Sequence, residues 1–458
     1  MNWIRNWRQD RILSRVMKNS SFLFASYALG AVLTILTANL LGVAEFGVLG
    51  TVTVFVSNVN RLFSFRMGEV VVRYMGEALE QDDRPRAAAM VKAAFLSEGL
   101  TSLVAFAALV GLAPLAAQYF AKDAQTTPLF LIYGISILMG ACVESSTGVL
   151  QVTNHYRSQA VINFVQTVLV AVLLGLAAIY RADLPVVLSI YLIGKIILGL
   201  GPVGVALYWL PRALGPDWLR APFGLLPPRR ELVRFAFSSN FSGTVNLLAR
   251  DSEIPIVGFF FGNAAAGYYK IALALINLMI MPINPFISTT YPEITRAFAA
   301  RQWARLRSLL QRVTLISAGW TALVTVGLLL VGRSLLFEPL TVLGRSRALL
   351  EGYLPAYPVL LILLAGYGIA NIFFWNRPLL LAQGLADFPL KVSLGALLVK
   401  LALTPILLPR GGYLMEAVLL SAYLLVTVSV SVWRGLSQAR RAERLSPGAP
   451  QAAEGWNP

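Results

Sequence analysis

Runs of apolar residues long enough to cross a bilayer recur along almost the whole chain, and they constrain the fold more than any other feature. A helical crossing takes roughly 20 such residues. Suitable stretches lie at about 20–42, 47–66, 91–116, 128–150, 159–180 and 185–209. A Pro- and Arg-rich link, PRALGPDWLRAPFGLLPPRR, follows. Six more stretches lie at about 235–261, 267–290, 311–332, 355–377, 389–408 and 412–433. With 57% hydrophobic and 13% charged residues in 458, and a mean hydropathy of +0.68, the chain belongs with multi-pass membrane proteins and leaves no room for a sizeable water-soluble domain. The expected fold is all-α and polytopic, with about twelve transmembrane helices in two six-helix lobes around a central cavity. Its expected parts are a cytoplasmic amphipathic N-terminus (1–19), an N-lobe (20–210), a cytoplasmic linker (211–234), a C-lobe (235–434) and a cytoplasmic polar tail (435–458).

The net charge of +16 raises the question of a nucleic-acid partner, but the positions of the charges answer it. Most of the 38 basic residues fall in alternate connections, at Arg5–Lys18, 66–92, 212–234, 296–312 and 434–444, and few in the others. That is the positive-inside pattern of a membrane protein with both termini cytoplasmic. The opening MNWIRNWRQDRILSRVMKNSS has no cleavage site and no short apolar core ahead of it, so it reads as a basic amphipathic lead-in and not as a signal peptide.

The halves repeat at a shift of 220 residues. Gly42 and Gly47 in LLGVAEFGVLG align with Gly262 and Gly267 in FFGNAAAGYYK, each pair marking a short outer turn between the first two helices of a half. The polar clusters Asn19-Ser20-Ser21 and Ser239-Asn240 align as well. Each half has an even number of spans starting on the same side, so the repeat is parallel, about an axis along the membrane normal.

The seventh stretch, FAFSSNFSGTVNLLARDSEIPIVGFFF (235–261), is unusually polar for a spanning helix. Ser239, Ser242, Gly243, Asn246, Arg250 and Glu253 line one helical face, and Asn240, Thr244 and Asp251 form a second polar line. Ionisable groups are costly in hydrocarbon, so these should face a water-filled cavity or partners inside the protein. One reading makes the helix part of a transport pathway; the other makes Arg250 and Glu253, three apart, a structural charge pair. Pro255 in this span, and Pro282, Pro285 and Pro292 in the eighth, remove backbone donors and kink the helix, either for packing or for movement.

Four cations fall well inside spans: Arg61, Lys195, Arg250 and Lys400, against the acids Glu144, Asp251 and Glu253. Arg61 and Arg250 have polar surroundings, whereas Lys195 and Lys400 are open to reading as ion-paired or snorkelling amines. Glu144 is placed to pair with Lys195 or Arg61. A guanidinium stays charged at membrane depth and grips oxygens two at a time, which suits a phosphate. Several embedded cations therefore point to an anionic substrate such as a lipid diphosphate. Catalytic readings find no support: there is no Gly-rich phosphate loop, one histidine (His155) in a short loop, one cysteine (Cys142) in an apolar segment, and no metal-ligand cluster. No cofactor and no enzymatic activity are expected.

Several stretches carry a resemblance: ANLLGVAEFGVLG after the first span, GEVVVRYMGEA after the second, GVLQVTNHYRSQA between the fourth and fifth, then LVRFAFSSNFSGTVN, VGFFFGNAAAGYYKIA and YPEITRAF in the second half. With the six-plus-six layout, the chain resembles the Wzx-type, O-antigen-like polysaccharide flippases of the multidrug/oligosaccharidyl-lipid/polysaccharide exporter superfamily. The resemblance implies a V-shaped pair of lobes whose first, second, seventh and eighth helices line a cavity that opens alternately to each side. It implies transfer of polyprenyl-diphosphate-linked oligosaccharide from the inner to the outer leaflet of a bacterial or archaeal cytoplasmic membrane. Membrane lipids, a polysaccharide polymerase and chain-length proteins are the partners it suggests. A cationic lumen for the headgroup would fall to Arg61, Arg250, Asn246, Arg66, Arg73 and Lys270. Asp251, Glu253, Glu144, Lys195 and Lys400 are candidates for a coupling ion or for charge pairs. The short polar tail after Arg434 departs from the lipid II flippase pattern, which has two further C-terminal helices.

Two rivals stay open. A cation-coupled multidrug exporter of the same fold would use Asp251 and Glu253 to bind sodium, protons or a cationic drug. A membrane glycan polymerase or ligase would need catalytic groups in a large outer loop, and the longest outer loop, about 333–354, offers only Arg333, Glu338, Arg345, Arg347 and Glu351.

Overall fold

The computed structural model describes residues 11–63, 67–226, 244–245, 247–342, 345–385 and 387–445. It is built almost wholly of helices, with one small antiparallel hairpin that pairs Leu340 with Arg347 and Val342 with Arg345. Hydrocarbon offers no water to satisfy a backbone amide, so long apolar runs close their hydrogen bonds within a helix. Among the described residues, ten helical segments are long and apolar enough to cross a membrane. The expected first and second spans share one of these, Leu29–Phe63, and the first part of the expected seventh, 235–243 with Asn246, lies outside the described residues. Large apolar side chains cover the outside, Leu315, Leu323 and Leu330 being about two-thirds exposed or more, as suits contact with lipid.

The helices are α1 (Arg11–Phe63), α2 (Gly68–Glu80), α3 (Arg84–Tyr119), α4 (Thr127–Met139), α5 (Val143–Val152), α6 (Tyr156–Ile179) and α7 (Leu184–Leu214). After them come α8 (Glu253–Phe261), α9 (Asn263–Ile280), α10 (Asn284–Ala299), α11 (Trp303–Gly327) and α12 (Arg333–Phe337). The last four are α13 (Ala356–Ile372), α14 (Asn376–Ala382), α15 (Asp387–Gly411) and α16 (Tyr413–Arg444). They gather into two compact units, one spanning Val32–Lys270 and the other taking in the described residues before and after it.

Within the Val32–Lys270 unit, the repeat becomes a physical object. Gly42 interrupts α1 at φ 71°, ψ 177°, and Gly262, 220 residues on, separates α8 from α9 at φ 82° with ψ −177°. Both conformations are left-handed, where a side chain is strained, so glycine is what lets each helix end and restart within one residue. A straight helix the length of α1 would run about 80 Å, far beyond the roughly 30 Å hydrocarbon core, and the break at Gly42 divides it into two shorter arms. The two breaks then pack reciprocally. A Cβ on Gly47 would lie 1.9 Å from the Asn263 carbonyl oxygen, and one on Gly267 would lie 2.1 Å from that of Val43, Val43 and Asn263 being themselves 220 apart. Backbone touches backbone on both sides of this seam.

Glycines also set the neighbouring crossings. Gly68 at the start of α2 lies against the Glu144 carbonyl and Gly148 of α5 against the Gly68 carbonyl, so GEVVVRYMGEA and GVLQV meet at bare backbone. On α7, Gly199 abuts the Met139 carbonyl, while Gly194 and Gly201 receive Gln166 and Ile162 of α6. The first part of the expected linker is docked rather than loose. Trp218 is buried 6.3 Å from the Phe95 ring, and Lys92 Nζ donates to the Ala221 carbonyl at 3.1 Å while lying over Phe223.

The second unit repeats one device of the first. The expected fourth span breaks at 140–142 between α4 and α5, and the expected tenth breaks at 373–375 between α13 and α14. In the tenth, the Trp375 indole donates to Thr314 Oγ1 at 2.7 Å, and the Asn371 amide to Thr321 Oγ1 at 3.0 Å. Nearby, the Trp320 indole donates to the Met279 carbonyl at 2.8 Å, tying α11 to α9.

Candidate functional site

The end of α1 and the break ahead of α8 supply the site. Pro255 has no N–H for the Asp251 carbonyl, and its ring crowds that carbonyl. The chain answers with a π-helical turn at Leu247–Asp251, and the α-helix resumes at Glu253. Ser252 stabilises the wide turn by donating its hydroxyl to the Leu247 carbonyl at 3.0 Å. The π turn changes the helical register, so side chains here no longer follow a uniform 100° wheel.

Two polar residues one turn apart on α1 meet this break. Asn58 Nδ2 donates to Ser252 Oγ at 3.1 Å, and Arg61 Nη1 pairs with Asp251 Oδ2 at 2.5 Å. Both ionic side chains stay about half exposed. An exposed pair of this kind contributes only about 0–1 kcal/mol, so Asp251 holds the guanidinium in place without consuming it. Arg250 is half-buried on the π turn itself. Glu253, fully buried, accepts from the Tyr269 hydroxyl at 3.4 Å.

The remaining sequence candidates separate. Lys195 lies on α7, in the same compact unit as Arg61. Among the described residues Glu144 forms an ion pair with neither of them, Arg61 pairing with Asp251 instead. Lys270 lies with its ammonium 4.0 Å from the Phe46 ring centroid and 3.4 Å from the Phe46 carbonyl oxygen. Phe46 and Arg61 are fifteen residues apart on α1, about 22 Å along the helix, so Lys270 does not join Arg61. Arg73 is on the exposed face of the amphipathic α2, over the Tyr74 ring. Lys400 of α15 forms a fully buried ion pair with Glu416 of α16, Nζ to Oε1 3.0 Å. Arg66 and Asn246, with Ser239, Asn240, Ser242 and Gly243 of the polar faces, lie outside the described residues.

Two embedded acids escaped the sequence reading. Glu98, in the middle of α3, is buried and aims its carboxylate at the start of α5. Oε1 accepts from the Glu144 N–H at 3.0 Å, and Oε2 accepts from the Ser145 N–H at 2.9 Å and the Ser145 hydroxyl at 2.5 Å. Its carboxyl group caps a helix N-terminus at membrane depth. Glu416 is the other. A complete count of acids inside the expected spans would have added Glu98 in 91–116 and Glu416 in 412–433, and it corrects the apparent excess of embedded cations. The excess does not hold for the chain as a whole.

Comparison with known proteins places this geometry. A family model described as polysaccharide biosynthesis protein matches residues 36–336, about two-thirds of the chain. The chain belongs to that family. Escherichia coli (strain K12) has a relative, inner membrane protein YghQ, 24% identical over 351 residues that cover 73% of this chain and 94% of the relative. Among solved structures, an inward-facing MATE-family multidrug resistance transporter of the MOP superfamily matches with a TM-score of 0.68 at 14% identity, covering 92% of this chain and 96% of the other. The lipid II flippase MurJ in an inward closed conformation matches with a TM-score of 0.66 at 14% identity, covering 93% and 90%. The fold is that of MOP superfamily transporters, in a chain whose apolar helices make it a multi-pass membrane protein.

Proposed function

We propose that this family member is a flippase that moves polyprenyl-diphosphate-linked oligosaccharide from the inner to the outer leaflet of the bacterial cytoplasmic membrane by alternating access, without chemical conversion of its cargo. Both termini then lie in the cytoplasm, where the basic connections collect. The carrying observation is the half-exposed Arg61 guanidinium at the break before α8, restrained by a single carboxylate oxygen of Asp251 and flanked by Asn58 and Ser252. A diphosphate binds such a guanidinium through two parallel charge-assisted hydrogen bonds, stronger than the exposed ion pair it displaces. Arg250, one residue from Asp251, is the second headgroup contact. The likeness to MurJ, a lipid II flippase, supports a lipid-linked cargo for this fold. A polysaccharide polymerase and chain-length proteins are the partners that would receive the product.

The buried Glu253 beside Tyr269, together with the likeness to a multidrug transporter, favours a second reading, a cation-coupled exporter. Thermal shift of the purified protein in detergent separates the two. Stabilisation by an undecaprenyl-diphosphate oligosaccharide that disappears in Arg250→Ala is the expected result. Stabilisation only by a lipophilic cation, weakened in Asp251→Asn, would replace the flippase by the exporter.

A further inference from the structure

The turn between α5 and α6 and the far end of α7 meet in a stack of rings. His155, which precedes α6 in the stretch GVLQVTNHYRSQA, lies 4.0 Å from the Trp209 ring, centroid to centroid, with the planes 30° apart. Its Nδ1 is 3.0 Å from Thr153 Oγ1. The Arg212 guanidinium covers Tyr208, with Cζ 3.7 Å from that ring's centroid and 5.5 Å from the centroid of Trp209. Tyr208 and Trp209 meet edge to face at 5.4 Å. One indole thus ties the turn leading to Arg157, two residues after His155, to the helix end that carries Arg212.

Both arginines stand where lipid-facing surface ends. At about 100° per residue, Arg157 falls within about 60° of Val161, Phe164, Val168 and Val172, the exposed apolar stripe of α6. On α7, Tyr208 and Arg212 fall within about 40° of Gly194 and Gly201, the glycines that receive Gln166 and Ile162 of α6. Arg212 therefore overhangs the seam between the two helices, with Tyr208 57% exposed beneath it. The charge there is one-sided. No acidic residue occurs from Ser145 to Ala182 or from Leu184 to Pro216. Asp217, next along the chain, pairs with Arg220 at 3.0 Å, and among the described residues neither Arg157 nor Arg212 forms an ion pair.

We propose that the edge of this seam is a binding site for an anionic glycerophospholipid of the surrounding membrane. The phosphate lies between Arg157 and Arg212, and the acyl chains run along the exposed apolar residues Val161 and Phe164 of α6 and Leu200 and Leu207 of α7. A guanidinium takes two phosphate oxygens at once, and stacking on Tyr208 fixes the plane of the Arg212 fork before the lipid arrives. Tyr and Trp rings settle at headgroup depth, which sets the guanidinium stacked on them level with a lipid phosphate. Two arginines with no acid in either stretch favour a headgroup of net negative charge over a zwitterionic one. The site uses none of the residues at the break before α8, and it stands or falls separately from the transport reading.

Native mass spectrometry of the purified full-length protein in detergent, titrated with dioleoyl phosphatidylglycerol, dioleoyl phosphatidylcholine or sn-glycerol 3-phosphate, tests the site. Wild-type protein should prefer phosphatidylglycerol to phosphatidylcholine by about tenfold, and should bind glycerol phosphate at least about tenfold more weakly than phosphatidylglycerol. An Arg157→Gln, Arg212→Gln double variant should bring the lipid preference to about twofold or less, and each single variant should lose about threefold of it. An Arg84→Gln, Arg86→Gln control removes the same charge from the first turn of α3 and should keep the preference. Because the preference is a ratio, partial loss of folded protein does not mimic the effect, and the single variants decide the matter if the double one does not fold. A preference that is absent from the wild type, or that survives both single variants, overturns the proposal. Equal loss in the control assigns the effect to diffuse surface charge and overturns it as well. Glycerol phosphate bound as tightly as the lipid would make this a site for free phosphate esters and overturn the lipid assignment.

Discussion

Alanine in place of Gly47 or Gly267 is expected to destabilise the protein by about 3 kcal/mol or more, at or beyond the upper end of the usual cost of overpacking. A Cβ at Gly47 would have to occupy space 1.9 Å from the Asn263 carbonyl oxygen, and one at Gly267 space 2.1 Å from that of Val43. Neither obstacle can swing aside, because both are backbone. Gly50 offers an internal comparison: its added Cβ would meet Lys270 Cδ at 2.7 Å, part of a flexible stem, and Gly50→Ala should cost much less. Gly76, with nothing within 4 Å of a Cβ, should tolerate alanine best. The two seam substitutions strain one interface from opposite sides, so the double variant should lose less than the sum of the single losses. Thermal unfolding in detergent across the five variants checks the ranking, and a Gly47→Ala protein that melts at the wild-type temperature would remove the seam from the account of the fold.

Glu98→Ala is the second large effect. It withdraws the acceptor from three donors at the start of α5: the Glu144 and Ser145 N–H groups and the Ser145 hydroxyl. A buried donor left without a partner costs about 1–3 kcal/mol, and at this depth in the membrane no water stands ready to replace the carboxylate. A loss of about 3 kcal/mol or more is expected, together with faster amide hydrogen exchange at the first turn of α5. Glu98→Gln keeps one acceptor oxygen and turns an NH2 group toward donors, so it should fall between alanine and wild type. Unchanged stability and exchange in Glu98→Ala would mean that the α4–α5 break holds itself open without this carboxylate.

The parts of the molecule legible from sequence are those ruled by length and local backbone. Bilayer thickness sets the span length, so the apolar runs translate directly into helices. The 220-residue repeat was visible in Gly42, Gly47, Gly262 and Gly267 because left-handed turns and backbone contacts demand glycine wherever they occur. Pairing was not legible, since it depends on which faces meet across long separations. Arg61 finds Asp251 190 residues away, Glu98 finds the start of α5, and Lys400 finds Glu416 on the next helix. A uniform helical wheel also misleads around Arg250, because the π turn before Pro255 shifts the register by which Asp251 comes to face α1. The signal for that shift was the proline.

Translocation of a labelled undecaprenyl-diphosphate oligosaccharide in proteoliposomes, followed by loss of protection from a membrane-impermeant quencher, tests the headgroup site most directly. Wild-type protein should accelerate exchange of the label between leaflets. An Arg61→Ala, Arg250→Ala double variant that reconstitutes and melts like the wild type should leave exchange at the rate of empty liposomes. Translocation at the wild-type rate by that variant would contradict the assignment of the two arginines as the contacts that carry the diphosphate across.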